Sequence, residues 1–220
     1  MSSELQQPLK PLDIKCTSTN CSSNLHCFLA TRKLIRQGLR GRCRSCGKDL
    51  VDWARVHRKD LSDTKYTFEA LRYELIRHHF WHIPVSEYAV NYARRKGRKG
   101  LKAAVEKQIA NAIGNVNHPR EGRQTPRENN PKANAIHYAQ HATASCCRRC
   151  LEEWHGIPRD RVLTAEEINY LTELATLYVE ARIPDLAEEA VYVPSMRHKD
   201  QIEKSKPKDE PMELPHASRY

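Results

Sequence analysis

Apolar residues recur at helical spacing through most of residues 63–185 and thin out on either side. Tyr66, Phe68, Leu71, Leu75 and Ile76 predict a helix running from an Asp63 cap to about Trp81, with Pro84 ending it. A second helix is expected over Val85 to Lys96, stopped by Gly97. A third covers about Leu101 to Ile113, with Ala104, Val105, Ile109 and Ala112 on its apolar face and Gly114 at its end. Thr164 and Glu167 form a capping box, after which Ile168, Leu171, Leu174, Ala175 and Tyr178 stripe a last helix to about Arg182. Between the third and last helices lie a long loop over 114–132 and a cysteine-rich stretch that predicts a helix ending near Gly156.

Residues 13–62 follow another logic, short of apolar periodicity but rich in cysteine and arginine. Phe28, Leu29, Leu34, Ile35 and Leu39, with Arg32, Lys33, Arg36 and Arg40 interspersed, predict a short basic helix there. Strand-like pieces are confined to the flanks of Cys43. The expected fold class is therefore mainly α, with a small N-terminal α+β module of zinc-ribbon or knuckle type and a helical C-terminal domain bearing a Cys/His cluster. The expected organisation is a flexible lead-in over 1–12, a metal-binding module over 13–62, a helical domain over 63–185, and a disordered Lys-, Glu- and Pro-rich tail over 186–220.

Hydrophobic residues make up 39% of the 220 and aromatics 7%, which predicts small cores that gain from a metal staple. No run approaches the length of a membrane span, and the first residues lack the basic and apolar regions of a signal peptide, so a soluble, cytoplasmic protein is expected. That compartment keeps thiols reduced and makes the eight cysteines candidate metal ligands or redox groups. The net charge of +10 is uneven, with 28 Lys and Arg against 12 Asp and Glu in residues 1–150 but 9 against 15 in residues 151–220. Nucleic acid is the expected partner of the basic part, and no membrane is. Arg94, Arg95, Lys96, Arg98, Lys99, Arg120, Arg123 and Arg127 are candidate phosphate contacts; a solvated charge run is the alternative.

Cys43-Arg44-Ser45-Cys46-Gly47 reads as a zinc knuckle, in which two thiolates two residues apart face one ion and the glycine relieves the turn. Cys16 and Cys21 are the favoured second pair, giving C-x4-C-x21-C-x2-C; Cys21 with Cys27, or His26 in place of a thiolate, are alternatives. Four protein ligands leave no open position, so this zinc would be structural. A second cluster, His141, Cys146, Cys147, Cys150 and His155, predicts a second metal centre, for zinc or another metal. Helical spacing lets Cys150 share an ion with Cys146 or Cys147, whereas His155 lies far round a regular helix. Cys147-Arg148-Arg149-Cys150 also has the form of a redox dithiol, without the βαβ context such a motif expects. His78 and His82 share a helix face and could join the distal centre, or be ordinary packed imidazoles.

Over about residues 78–185 the chain resembles the domain of unknown function family 4186. The resemblance rests on Gln140-His141-Ala142-Thr143-Ala144-Ser145-Cys146-Cys147-Arg148-Arg149-Cys150-Leu151, then Trp154-His155-Gly156-Ile157-Pro158, preceded by Gln124-Thr125-Pro126. Ser145 stands where the family looks to prefer threonine. The resemblance implies a bacterial or phage source and no settled activity, and it does not reach the cysteine-rich first module.

Two functions follow as expectations. The first is a zinc-stabilised protein that binds nucleic acid through its basic surface. The second is a metal-dependent, nuclease-like hydrolase at the His141 to His155 cluster, with Glu152, Glu153 or a histidine moving the proton. No H-E-x-x-H, P-loop or G-x-S-x-G pattern supports the second.

Overall fold

The computed structural model describes residues 14–116 and 125–194, and these fold mainly as helices. The short helices α1 (Arg32–Arg36) and α2 (Trp53–His57) belong to the cysteine-rich region. The remainder supplies α3 (Thr64–Leu71), α4 (Leu75–His82), α5 (Glu87–Arg94), α6 (Gly97–Ile113), α7 (Ala135–Ala142), α8 (Arg148–His155) and α9 (Ala165–Arg182). The strand pieces expected beside Cys43 do not form a ladder. Among the described residues, β pairing is limited to isolated bridges joining Asn20 to Leu25 and His26 to Glu74.

One helix expected over 63–81 is two, α3 and α4, and the cause lies far away in the chain. The His26 backbone inserts at the break, its N–H donating to Tyr73 O at 2.7 Å and its carbonyl accepting from Leu75 N at 2.9 Å. The interruption places the Glu74 side chain wholly inside the protein. Asp63 starts α3 without capping it, because its carboxylate is held by Arg55 of α2. The expected basic helix of the first region is shortened to α1, since Phe28, Leu29 and Ala30 are buried ahead of it.

The larger core lies where α6 packs on α9 and α4 on α7, with Phe80, Leu101, Val105, Ile109, Ala139, Leu171 and Leu174 buried inside it. The Thr164–Glu167 capping box forms as its residues dictate. A second apolar cluster joins Cys27, Phe28, Leu29, Cys43, Val51 and Val56 to Ala70, Leu71, Cys146, Cys147, Cys150 and Trp154. The cysteine-rich region and the helical region thus share one core, with Phe28, Trp53 and Trp154 meeting edge to face or tilted.

The expected Gly97 stop is instead the first residue of α6, at φ +64°. The segment after α9 is packed as far as Val191: Arg98 N donates to Ala187 O, Lys99 N to Glu188 O and Val191 N to Arg94 O. Residues 195–220 of the region expected as a tail lie outside the described residues.

Candidate metal centres

The turn that follows Ile14 builds the first centre. Asn20 and Leu25 exchange backbone hydrogen bonds at 2.7 and 3.0 Å around a 3-10 turn at Cys21–Ser23, and Asn24 adopts φ +57°. This reversal returns His26 beside Cys21. On the other side, Gly47 N donates to Cys43 O and Cys43 N to Lys48 O, both at 2.9 Å, which closes the knuckle around Cys43 and Cys46. Gly47 takes φ +75° there, a conformation that only glycine adopts without strain.

The ligand atoms of Cys21, His26, Cys43 and Cys46 all lie within 4.8 Å of one another. Cys21 Sγ is 3.8 Å from Cys43 Sγ, and Cys46 Sγ is 3.4 Å from His26 Nδ1. His26 Nε2 donates to Asn24 Oδ1 at 3.1 Å, an arrangement that leaves Nδ1 with its lone pair toward the sulfurs. Burial disfavours the Cys43 thiolate, but backbone hydrogen bonds at Cys46, Cys27 and Ser45 and the His26 ring favour it and hold its pKa at about 6. Three thiols and one imidazole are a donor set that suits a borderline-soft ion in a tetrahedral site. The pattern is C-x4-H-x16-C-x2-C, with His26 where Cys16 was expected; Cys16 lies outside the group. Cys27 is also outside, its Sγ donating to Cys16 O at 3.2 Å, and burial followed by the Glu74 charge pushes it up to about 12.

The second centre is a fully interior group of Cys146, Cys147 and Cys150. Cys150 Sγ is 3.6 Å from each of the other two sulfurs. Cys147 is the N-cap of α8, so the positive end of the helix faces the sulfurs. Arg77, buried from α4, donates from Nη2 to Cys150 Sγ at 3.0 Å and from Nη1 to His141 O at 2.6 Å. Its Nε meets Glu74 Oε2 at 3.1 Å, and the same oxygen accepts from Trp154 Nε1 at 2.8 Å.

The histidines expected at this centre do not join it. His141 Nε2 faces the Thr125 carbonyl at 3.0 Å and Thr125 Oγ1 at 2.8 Å, and His155 Nε2 faces Thr143 O at 2.9 Å. Both rings are wholly buried; burial, the larger cause, holds His141 neutral with its pKa at about 3 and His155 at about 4. The two arginines of the expected redox dithiol also face elsewhere, Arg148 toward Ile113 O and Pro158 O and Arg149 toward Ala30 O. Cys147 is pushed up to about 12 by its hydrogen bond to Cys146, with burial adding to it. A reactive dithiol needs the opposite, a depressed and accessible thiol.

His78 and His82 stack at 3.9 Å between ring centroids, and His82 Nδ1 donates to His78 O at 2.6 Å. They line an apolar cleft of about 720 Å³ with Ile14, Leu25 and Leu75 and stand apart from both thiol groups.

Most of the basic run over 94–99 is engaged within the chain. Arg94 pairs with Asp185 at 2.6 Å, Arg98 with Glu180 at 3.1 Å and Glu188 at 3.6 Å, and Lys96 lies over the Tyr92 ring. Lys99 pairs with Glu189 at 2.6 Å, whereas no ion pair of Arg95 is found among the described residues. Arg127 donates to the Ile14 carbonyl at 2.5 Å and pairs with Glu128, while Arg120 and Arg123 lie outside the described residues. Positive charge is instead concentrated around the first centre, where residues 14–60 hold eleven Lys and Arg against three Asp and Glu.

A helical protein whose two cysteine groups suit metal binding is the class these features define. The chain matches the domain of unknown function family DUF4186 over residues 65–180, and it belongs to that family. The second thiol group falls inside the matched stretch, whereas Cys21, His26, Cys43 and Cys46 precede it. No solved structure matches the chain. Among the described residues, no helix is long and apolar enough to cross a membrane.

Proposed function

We propose that this is a zinc protein that binds nucleic acid along a cleft between its N-terminal zinc module and α8. One observation carries the reading. Arg32, Arg40, Arg44, Arg149 and Arg159 line a single cleft of about 490 Å³, opposed by two carboxylates, Glu152 and Glu153. Glu152 is occupied by Arg159 at 3.1 Å, and Arg40 bridges toward both glutamates. Arg32 and Arg44 form no ion pair among the described residues, so their guanidinium groups remain for an anion. Phosphate suits them because a planar guanidinium meets two phosphate oxygens at once and releases condensed counterions from the polymer.

Zinc, at Cys21, His26, Cys43 and Cys46, has a structural part in this reading. With four protein donors the ion has no open position for substrate, and its work is to fix the arginine-bearing backbone that runs from α1 to the knuckle. The buried second centre offers a substrate no access, which leaves the hydrolase expectation without a supporting observation.

Binding of short mixed-sequence DNA and RNA, followed by fluorescence anisotropy across 50–200 mM salt, tests the proposal. Affinity should fall steeply with salt, and the slope of log K against log salt should flatten by about two phosphate contacts in the Arg32→Ala, Arg44→Ala double variant. Absence of salt-sensitive binding to either polymer overturns it.

A further inference from the structure

We propose that Cys16 closes the buried thiol group, so that Cys16, Cys146, Cys147 and Cys150 hold one zinc-class ion and clamp the N-terminal segment onto α8. The inference shares with the functional proposal only the premise that the chain binds soft metal ions; it is independent of nucleic acid.

Three buried sulfurs within 4.8 Å of one another form an unfinished tetrahedral set. The neighbouring imidazoles are turned to the carbonyls of Thr125 and Thr143, and Ser145 Oγ is engaged with Thr143 Oγ1 at 3.1 Å. Cys16 is half-buried and packs against both apolar clusters, including the one that contains all three sulfurs. Its carbonyl is held by the Cys27 Sγ donor at 3.2 Å, which fixes the backbone of the turn. Arg77 holds the buried sulfurs: its guanidinium touches those of Cys150 and Cys146, at 3.0 and 3.7 Å.

The chemistry is consistent with that placement. Thiolates bound to a divalent ion leave excess negative charge in the interior, and a buried guanidinium donating N–H to sulfur offsets part of it, as outer ligands do around metal centres. The ion displaces the protons of the thiols, so its binding strengthens as pH rises. Cysteine use becomes complete: seven of the eight thiols are ligands across two centres, and Cys27 is the one that remains a thiol.

The test uses the full chain, purified anaerobically, with metal content measured directly and Co²⁺ then substituted as a spectroscopic probe. Wild type should hold two ions. Cys16→Ser should lower the sulfur-to-cobalt charge-transfer absorbance by about one-seventh and shift the ligand-field bands, whereas Cys27→Ser should leave both unchanged. Should Cys16→Ser fail to fold, Cys16→His keeps a donor at the position and should retain two ions with an altered cobalt spectrum. An unchanged spectrum in a folded Cys16 variant overturns the proposal. A wild-type chain with one ion that Cys46→Ser removes overturns the distal site and leaves the proximal one standing; a chain with none overturns both.

Discussion

Arg77 donates to the Cys150 sulfur at 3.0 Å while its Nε holds Glu74 at 3.1 Å, and all three side chains are cut off from solvent. Such a guanidinium is shared between a carboxylate and a thiol group, and its loss strands Glu74 in the interior. Arg77→Met should destabilise the fold by about 3–5 kcal/mol, the range for a broken buried pair. The Glu74→Gln, Arg77→Met double variant should recover part of that loss, because no charge is then left without a partner. Urea unfolding of wild type and the two variants measures both effects; equal destabilisation in the single and double variants would show that the pair contributes nothing specific.

His155 and His141 make the protein acid-sensitive well above the carboxylate range. Burial, foremost, lowers their pKa values to about 4 and about 3 from an ordinary value of 6.5. The unfolded chain therefore binds more protons than the folded one as pH falls from about 6.5 toward these values, and stability drops across that window. Above 6.5 the two rings contribute no pH dependence. Urea midpoints measured from pH 7.5 to 4.5 should fall below about 6.5, and a folded His155→Gln variant should show a shallower slope. An identical slope in that variant would remove His155 from the account.

How far the sequence revealed this architecture depends on whether each feature is local. The Thr164–Glu167 box, the α6 stripe and the Cys43–Cys46 knuckle are specified by residues close together in the chain, and all three form. The Asn134 capping box of α7 is equally local but lacks the usual sequence signature, because His137 takes the place usually filled by Glu or Gln. The α3–α4 break was hidden, since it is made by His26 inserting from more than forty residues away. The same insertion decides between His26 and Cys16 as neighbour of Cys21, a choice that spacing alone left open. A buried arginine among thiols had no local signal at all, because helical arginine is most often exposed.

Removing metal should loosen the N-terminal region first. Residues 14–60 owe their order to turns closed around Cys21, His26, Cys43 and Cys46 rather than to long helices. Chelation under mild conditions should raise amide hydrogen exchange there while α6 and α9 stay protected. Cys46→Ser, at an exposed ligand, should reproduce the effect without added chelator. Equal exchange with and without chelator would mean that packing alone holds this region.

Gly97 is the place where one methyl group should detach the segment after α9. Its φ of +64° strains any other residue, and a Cβ built there would lie 2.3 Å from the Glu189 backbone. Relief requires residues 186–191 to move, which breaks the bonds from Arg98 N to Ala187 O and from Lys99 N to Glu188 O. Gly97→Ala should therefore cost about 1–3 kcal/mol and open the segment to protease, since strain and lost hydrogen bonds act together. Release of that segment also frees Arg98 from Glu188 and Lys99 from Glu189, so the variant should bind polyanions more tightly at low salt than wild type. Cleavage after residue 185 in Gly97→Ala, with wild type resistant under the same conditions, is the expected result; equal resistance would show that the segment is not anchored by this contact.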